Sequence, residues 1–243
     1  MAILEDQGSA DATTSVEVAE KPLLYDGQWL DQPTFHELYL RMPENFRAEL
    51  IDGVVYVMSS PVSAKHGRPD ANLILFINYY SAETPGTLVQ SNTTAKLGQR
   101  SEVQPDSVLL IEPEFGGRTT IDDNSYTLEC PELVIEIASS TLTKDMVAKK
   151  KLYEEIGALE YIVYDETRRV LYWFALTEGH FEPLEIDADG IFRSRAFPGL
   201  WLDRDAFLRH DRKGMLQTLR QGLESPEHAA FVERLRENRA KRP

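Results

Sequence analysis

The chain of 243 residues contains one cysteine, Cys130. A single thiol excludes an intrachain disulfide framework and a cysteine-based zinc site. The five histidines, His36, His66, His180, His210 and His228, are scattered without the spacing of zinc ligands. No apolar run approaches the ~20 residues that a membrane-spanning helix needs. The start, MAILEDQGSADATTSVEVAE, has neither the basic opening nor the apolar centre of a signal peptide. Together these absences imply a cytosolic protein. Stretches of the form G-x-x-x-x-G-K-[ST] or G-x-G-x-x-G are missing as well, so phosphate-loop and dinucleotide readings lack their glycines. Basic side chains are few: 26 Lys and Arg stand against 40 Asp and Glu, a net charge of −14. That balance argues against a general nucleic-acid coat, because phosphate contacts need lysine and arginine. The deficit is uneven. Residues 1–200 hold 16 basic and 33 acidic side chains, whereas residues 201–243 hold 10 basic and 7 acidic. The basic end reads first as a solvated helical face and only second as a phosphate contact.

What is present is an α/β pattern, with 42% hydrophobic and 9% aromatic residues to build a core. Residues 1–20 carry five acidic and no basic side chains without periodicity, which predicts disorder. Phe35, Leu38 and Tyr39 recur at helical spacing after Pro33-Thr34. In "FRAELIDGVVYVM" two strand-like runs are hinged on Asp52-Gly53, a hairpin signal because both residues tolerate positive φ. Leu73, Phe76, Ile77 and Tyr80 make one face of a helix over 64–80. "TLVQSNTTAKL" and "DSVLLIE" read as strands, and the polar, glycine-bearing stretch 113–130 as a surface connection. Residues 131–138 read as a strand buried on both faces, and Thr143 as the N-cap of a helix that ends at Gly157. "LEYIVYD", "RVLYWFAL" and "HFEPLEI" predict a terminal β-meander, and 204–221 and 226–240 predict helices. The βαβ step at 131–165 implies parallel strands. The whole predicts an α/β domain around one central mixed β-sheet flanked by helices.

Three carboxylates sit in unusually apolar company: Glu49 before Leu50-Ile51, Asp106 ahead of Val108-Leu109-Leu110-Ile111, and Glu136 inside "VIEIA". Each has a plain structural reading. Glu49 would be a solvent-facing strand residue, and Asp106 would cap a turn after Pro105. Glu136 resists that reading, since an unpaired ionised carboxylate in a buried strand costs several kcal/mol, roughly. A hard dication would compensate all three, and Mg²⁺ favours carboxylate, water and phosphate oxygens. On the next helix Asp145, Lys149 and Tyr153 are spaced four apart and share one face. Lys149 would then point at the same site as Glu136. The plain alternative is an exposed ion pair with Asp145, and Lys150 and Lys151 read as solvated on neighbouring faces.

The motifs "AELIDG", "QPDSVLLI", "PELVIEIASST" and "DMVAKKKLYEEIGALEYIVYD" are similar to those of the Uma-type restriction endonuclease family, a branch of the PD-(D/E)XK nuclease superfamily. The resemblance spans roughly residues 33–208. It implies a restriction-endonuclease-like core over 21–208, between the disordered start and a C-terminal helical extension over 209–243. It also implies a Mg²⁺-dependent endodeoxyribonuclease, with Mn²⁺ as a substitute ion, DNA as partner, no nucleotide cofactor, and a homodimer. Carried over residue by residue, Glu49, Asp106 and Glu136 become the acidic site, with the backbone carbonyl of Ile137 as a further metal ligand. Glu49 would complete the metal shell or hold a metal-bound water. The usual lysine, two positions after the strand glutamate, is replaced here by Ala138, and the lysine of the following helix is Lys149. That lysine would position the nucleophile, and Lys149→Met would leave folding intact if its side chain were at least half-exposed. His66 matches a histidine frequent in the family, with a surface histidine as the plain reading. Where the family has Ser-Pro-Ser-Thr, this chain has Ser139-Ser140-Thr141, one residue shorter. The alternatives are a non-catalytic nuclease-fold module that binds DNA or a partner protein, and an RNA-directed nuclease using the same site.

Overall fold

The computed structural model describes residues 23–58, 64–138 and 141–241. The expected disordered start, 1–20, lies outside the described residues. Helix α1 (Gln32–Tyr39) opens on Asp31, whose side chain accepts from the Thr34 N–H, a cap worth about 1 kcal/mol. Strands β1 (Ala48–Ile51) and β2 (Val54–Val57) form the expected hairpin. Its two-residue turn needs left-handed backbone, and Asp52 (φ 48°) and Gly53 (φ 83°) supply it. Helix α2 (Ala64–Glu83) follows, and then β3 (Thr87–Ser91), β4 (Ala95–Lys96), β5 (Glu102–Val103) and β6 (Ser107–Ile111). The connection beyond β6 is only partly at the surface. It carries β7 (Thr120–Ile121) and β8 (Thr127–Leu128), and Phe115, Thr127 and Cys130 within it are buried.

Strand β9 (Leu133–Ala138) leads to a π-helical turn (Lys144–Lys149) that runs into α3 (Lys150–Glu155). Thr143 is not the expected cap: its backbone is already helical and its hydroxyl caps nothing. Gly157, in left-handed backbone, does close the helix. Strands β10 (Glu160–Asp165), β11 (Val170–Thr177) and β12 (His180–Pro183) form the meander. The hairpin of β13 (Ile191–Arg193) and β14 (Trp201–Asp203) precedes α4 (Arg204–Leu208), α5 (Arg212–Leu223) and α6 (Pro226–Ala240).

Where the sequence predicts one sheet, the described residues form two of six strands each, beside the two-stranded β13-β14 hairpin. The central sheet runs β12-β11-β10-β9-β6-β3, with β9 and β10 parallel and every other neighbouring pair antiparallel. The outer sheet runs β2-β1-β5-β4-β8-β7. Four of its strands are two residues long, too short to show a period of two in the sequence.

Alternation along the central strands divides the core. Leu109, Leu133, Ile135 and Ile162 face Leu73, Phe76, Ile77 and Tyr80 of α2, all fully buried. Val108, Val134, Tyr161 and Val163 face the outer sheet and α3 through Ile51, Val103, Leu152 and Tyr153. Strand β9 is therefore covered on both sides, which is why it reads as a continuous apolar run. Glu136 falls on the outer-sheet face, between Val134 and Ala138. Helices α5 and α6, expected as an extension, belong to the same core: Met215, Leu219, Phe231 and Leu235 pack with the α2 cluster.

Candidate active site

The register of β6 against β9 pairs Ser107 with Ile135 and Val108 with Val134. One step further along the same antiparallel register, Asp106 stands opposite Glu136. Residues directly opposite project from the same face, about 4.5–5.5 Å apart at Cβ. The two strand-borne carboxylates are thus neighbours by sheet geometry alone. Asp106 Oδ2 accepts the Ile137 N–H at 2.6 Å, which ties the start of β6 to the end of β9. Its other oxygen lies 3.4 Å from His66 Nε2 on α2. The Asp106 side chain remains 18% exposed, so this is the open edge of the cluster.

Glu49 is not a solvent-facing strand residue: it is fully buried in β1. Oε1 accepts from the Gln104 N–H at 3.0 Å and from Lys149 at 2.8 Å, and Oε2 accepts from Lys144 at 2.6 Å. Gln104 precedes Asp106 by two residues, so Glu49 is fastened to the segment that delivers Asp106. Burial pushes the Glu49 carboxyl up, but the ammonium groups of Lys149 and Lys144 outweigh it and hold it at about 2.

Lys149 reaches the site, as expected, but it is neither exposed nor half-exposed. Its side chain is 3% exposed and bridges Glu49 and Glu136 at 2.8 Å each, with Asp145 at 3.9 Å. The condition under which its removal would spare the fold is therefore not met, because two buried carboxylates are paired with it. Burial opposes the lysine's charge. Glu136, Glu49 and Asp145 together overcome that and hold it protonated well above its ordinary range. Glu136 Oε1 also accepts the Tyr153 hydroxyl at 3.1 Å. Burial raises the Glu136 carboxyl well above the usual range, Lys149 works against that rise, and the charges of Asp106, Asp145 and Glu49 add to it. Glu49 claims the lysine's charge more fully, so Glu136 is the carboxyl that takes up a proton first.

Lys144 is the member of the charge cluster that helical spacing misses. In an α-helix, residues 144 and 149 project about 140° apart. The chain here is π-helical, with the Lys150 N–H bonded to Asp145 O, five residues back. Such i→i+5 bonding stacks residues five apart, a geometry that recurs at functional sites. Both lysines consequently grip one carboxylate. Tyr161 holds the turn from the sheet side by donating to Asp145 O at 3.0 Å. Lys150, expected to be solvated, instead sits over the Phe174 ring at 4.4 Å, while Lys151 is exposed beside Glu155. A further missed residue is Asp70, one turn after His66. Its Oδ1 is buried without a hydrogen bond, and burial, then the charge of Asp106, pushes the carboxyl up to about 6.

The structure thus brings Asp106 beside Glu136 and links Glu136 through Lys149 to Glu49. Among the described residues, no three His, Cys, Asp or Glu side chains are grouped so as to hold a metal ion. The shorter loop, Ser139-Ser140-Thr141, lies partly outside the described residues, at Ser139 and Ser140. Among the described residues no helix is long and apolar enough to cross a membrane.

Comparison with curated proteins gave no match. A solved structure described as "a putative nuclease belonging to DUF820", from Anabaena variabilis, is similar at 16% identity, covering 75% of this chain and 97% of that one, with a TM-score of 0.49. A family model described as "Uma2: Putative restriction endonuclease" matches residues 33–205, from α1 to α4. That span contains Glu49, Asp106, Glu136, Lys144 and Lys149, and the chain belongs to the Uma2 family.

Proposed function

We propose that this protein is a Mg²⁺-dependent endodeoxyribonuclease that hydrolyses DNA phosphodiester bonds, with Mn²⁺ as a substitute ion and a restriction-endonuclease-like core as its scaffold. The placement of Asp106 opposite Glu136 supports this most. Like charges directly opposite on neighbouring strands destabilise a sheet. Four carboxylates, Glu49, Asp106, Glu136 and Asp145, face two ammonium groups, Lys144 and Lys149, before His66 is counted. Carboxylates outnumber the cationic groups even when His66 is counted, which suits a bound cation. The donor set fits as well, since Mg²⁺ takes one or two carboxylates and completes its shell with water and phosphate oxygens. Asp106 and Glu136 would hold the ion, joined by the Ile137 carbonyl. In a strand the N–H and C=O of one residue face the same neighbour, and the Ile137 N–H already meets Asp106. Glu49, with both oxygens on lysines, serves the lysine pair rather than the ion. Held there, such an ion would supply polarisation of the phosphate and a lowered pKa for the attacking water.

The chain's own groups then have distinct tasks. Lys149 keeps two buried carboxylates together, and Tyr153 fixes the Glu136 oxygen that it shares with Lys149. His66, raised above its usual range by its hydrogen bond to Asp106, keeps that carboxylate oriented at the open edge. A homodimer would set two such sites on the two strands of a duplex. The test is metal-dependent nicking of plasmid DNA by purified protein beside Glu136→Gln. Nicking with Mg²⁺ or Mn²⁺ that the variant loses is the expected result. Undiminished nicking by Glu136→Gln would overturn the site. Wild type that binds DNA and cuts nothing would assign the fold to a binding module.

A further inference from the structure

We infer that Lys144, rather than Lys149, is the lysine that contacts a DNA phosphate, and that the π-helical turn exists to present it. This rests on the endonuclease reading above. An ammonium group has three N–H donors. Two of those of Lys149 meet buried carboxylates, Glu49 and Glu136 at 2.8 Å each, Asp145 adds its charge from 3.9 Å, and the side chain is 3% exposed. A phosphate oxygen would have to displace a buried carboxylate to reach it. Lys144 makes a single ion pair among the described residues, to Glu49 Oε2 at 2.6 Å, and its side chain is 11% exposed. Two of its donors stay available. The same turn surfaces at Val147, which is 64% exposed, so the chain carrying Lys144 borders solvent.

The anchor also sets the direction. Glu49 joins Lys144 on one oxygen to the Gln104 N–H on the other, two residues ahead of Asp106. Lys144 is therefore held one carboxylate away from the strand entry that carries the exposed acid of the site. A DNA strand whose scissile phosphate meets Asp106 and Glu136 passes this ammonium. In an α-helical turn Lys144 would point about 140° away from Lys149 and leave Glu49. Phosphate contact by Lys144 accordingly depends on the i→i+5 register, and Lys149 acts as the buried counter-charge that holds the acids in place.

Binding of a fluorescein-labelled DNA duplex, followed by anisotropy in EDTA and again with Ca²⁺, tests this on the full chain. Lys144→Met should weaken binding about tenfold, the loss of one charge-assisted hydrogen bond. It should also flatten the slope of log affinity against log salt by about 1, as expected for one lost phosphate contact. Lys144→Arg should keep both near wild type, and Lys151→Met should stay within about twofold. Affinity and slope unchanged in folded Lys144→Met would overturn the inference. Should that variant not fold, lysine acetylation of wild type reads the same point: the duplex should protect Lys144, and equal labelling with and without duplex would overturn it. Wild type that binds duplex while Lys144 is indifferent leaves the endonuclease reading standing; wild type that binds no duplex removes both.

Discussion

Replacing Lys149 with methionine keeps most of the side-chain volume and deletes one charge from the interior. Glu49 would retain Lys144 and the Gln104 N–H, but Glu136 would keep only the Tyr153 hydroxyl among its charge-balancing contacts. Removing one partner of a buried ion pair costs about 3–5 kcal/mol, because the other charge stays buried. A urea m-value of about 2–3 kcal/mol/M converts this to a midpoint roughly 1–2.5 M lower. The pH dependence identifies the cause. Glu136 already has a folded pKa above its unfolded value of 4.5, and losing the lysine raises it further. Its ionised form then penalises only the folded state, so the variant loses stability as pH rises above about 4.5. The deficit against wild type should be smaller at pH 5 than at pH 8. Adding Glu136→Gln to Lys149→Met should recover most of the loss, with a coupling of about 1–3 kcal/mol in the double-mutant cycle. Chemical denaturation in EDTA, at both pH values, gives all of these quantities. A wild-type midpoint for Lys149→Met would refute the buried bridge, as would simple additivity of the two substitutions.

Two other perturbations report on neighbouring parts of the structure. Asp70 has a folded pKa of about 6 against an ordinary 3.8, so its ionisation works against the fold as pH rises through that interval. Asp70→Asn should raise the melting temperature at pH 7.5 by roughly 2–4 °C, or about 1 kcal/mol after solvent screening. The gain should vanish near pH 4, and a pH-independent gain would show that burial of the charge is not its source. Gly222 lies in α5 where an added Cβ would come 2.2 Å from Gly199 O and 2.8 Å from Trp201. Gly222→Ala should therefore cost about 1–3 kcal/mol by overpacking, read as a melting temperature several degrees lower; an unchanged value would mean that α5 does not press on that loop.

Elements with a clear period were legible in the sequence. The Asp52-Gly53 turn, the Leu73 to Tyr80 face of α2 and the doubly buried β9 each follow from local chemistry. The acidic residues were legible for the same reason: a charge inside an apolar strand conflicts with its surroundings and invites a partner. What remained hidden depends on distance in space. Strands of two residues, such as Ala95–Lys96 and Glu102–Val103, have no alternation to read, so the sheet that they build onto the β1–β2 hairpin was hidden. The placing of Lys149 at the Glu136 site was legible, but its burial was not, because nothing local shows that Glu49, a hundred residues earlier, closes over it. Lys144 was missed because a period of 3.6 was applied to a turn that does not have it. Lys150 was read as solvated because the ring under it, Phe174, arrives from β11.

The pairing of β6 with β9 also predicts which changes of chain length the protein can absorb. Asp106 meets Glu136 because the ladder counts residues inward from Ser107 and Ile135, whatever the length of chain between the two strands. Added residues in the polar stretch around 122–125 would lengthen an excursion and leave the count unchanged. One residue added within β9 ahead of Glu136 reverses the parity of everything after it. Glu136 would then turn toward the α2 core, and Ile137 would turn into the cluster of charges. Insertion scanning should therefore show length tolerated around 122–125 and parity enforced from Leu133 to Glu136.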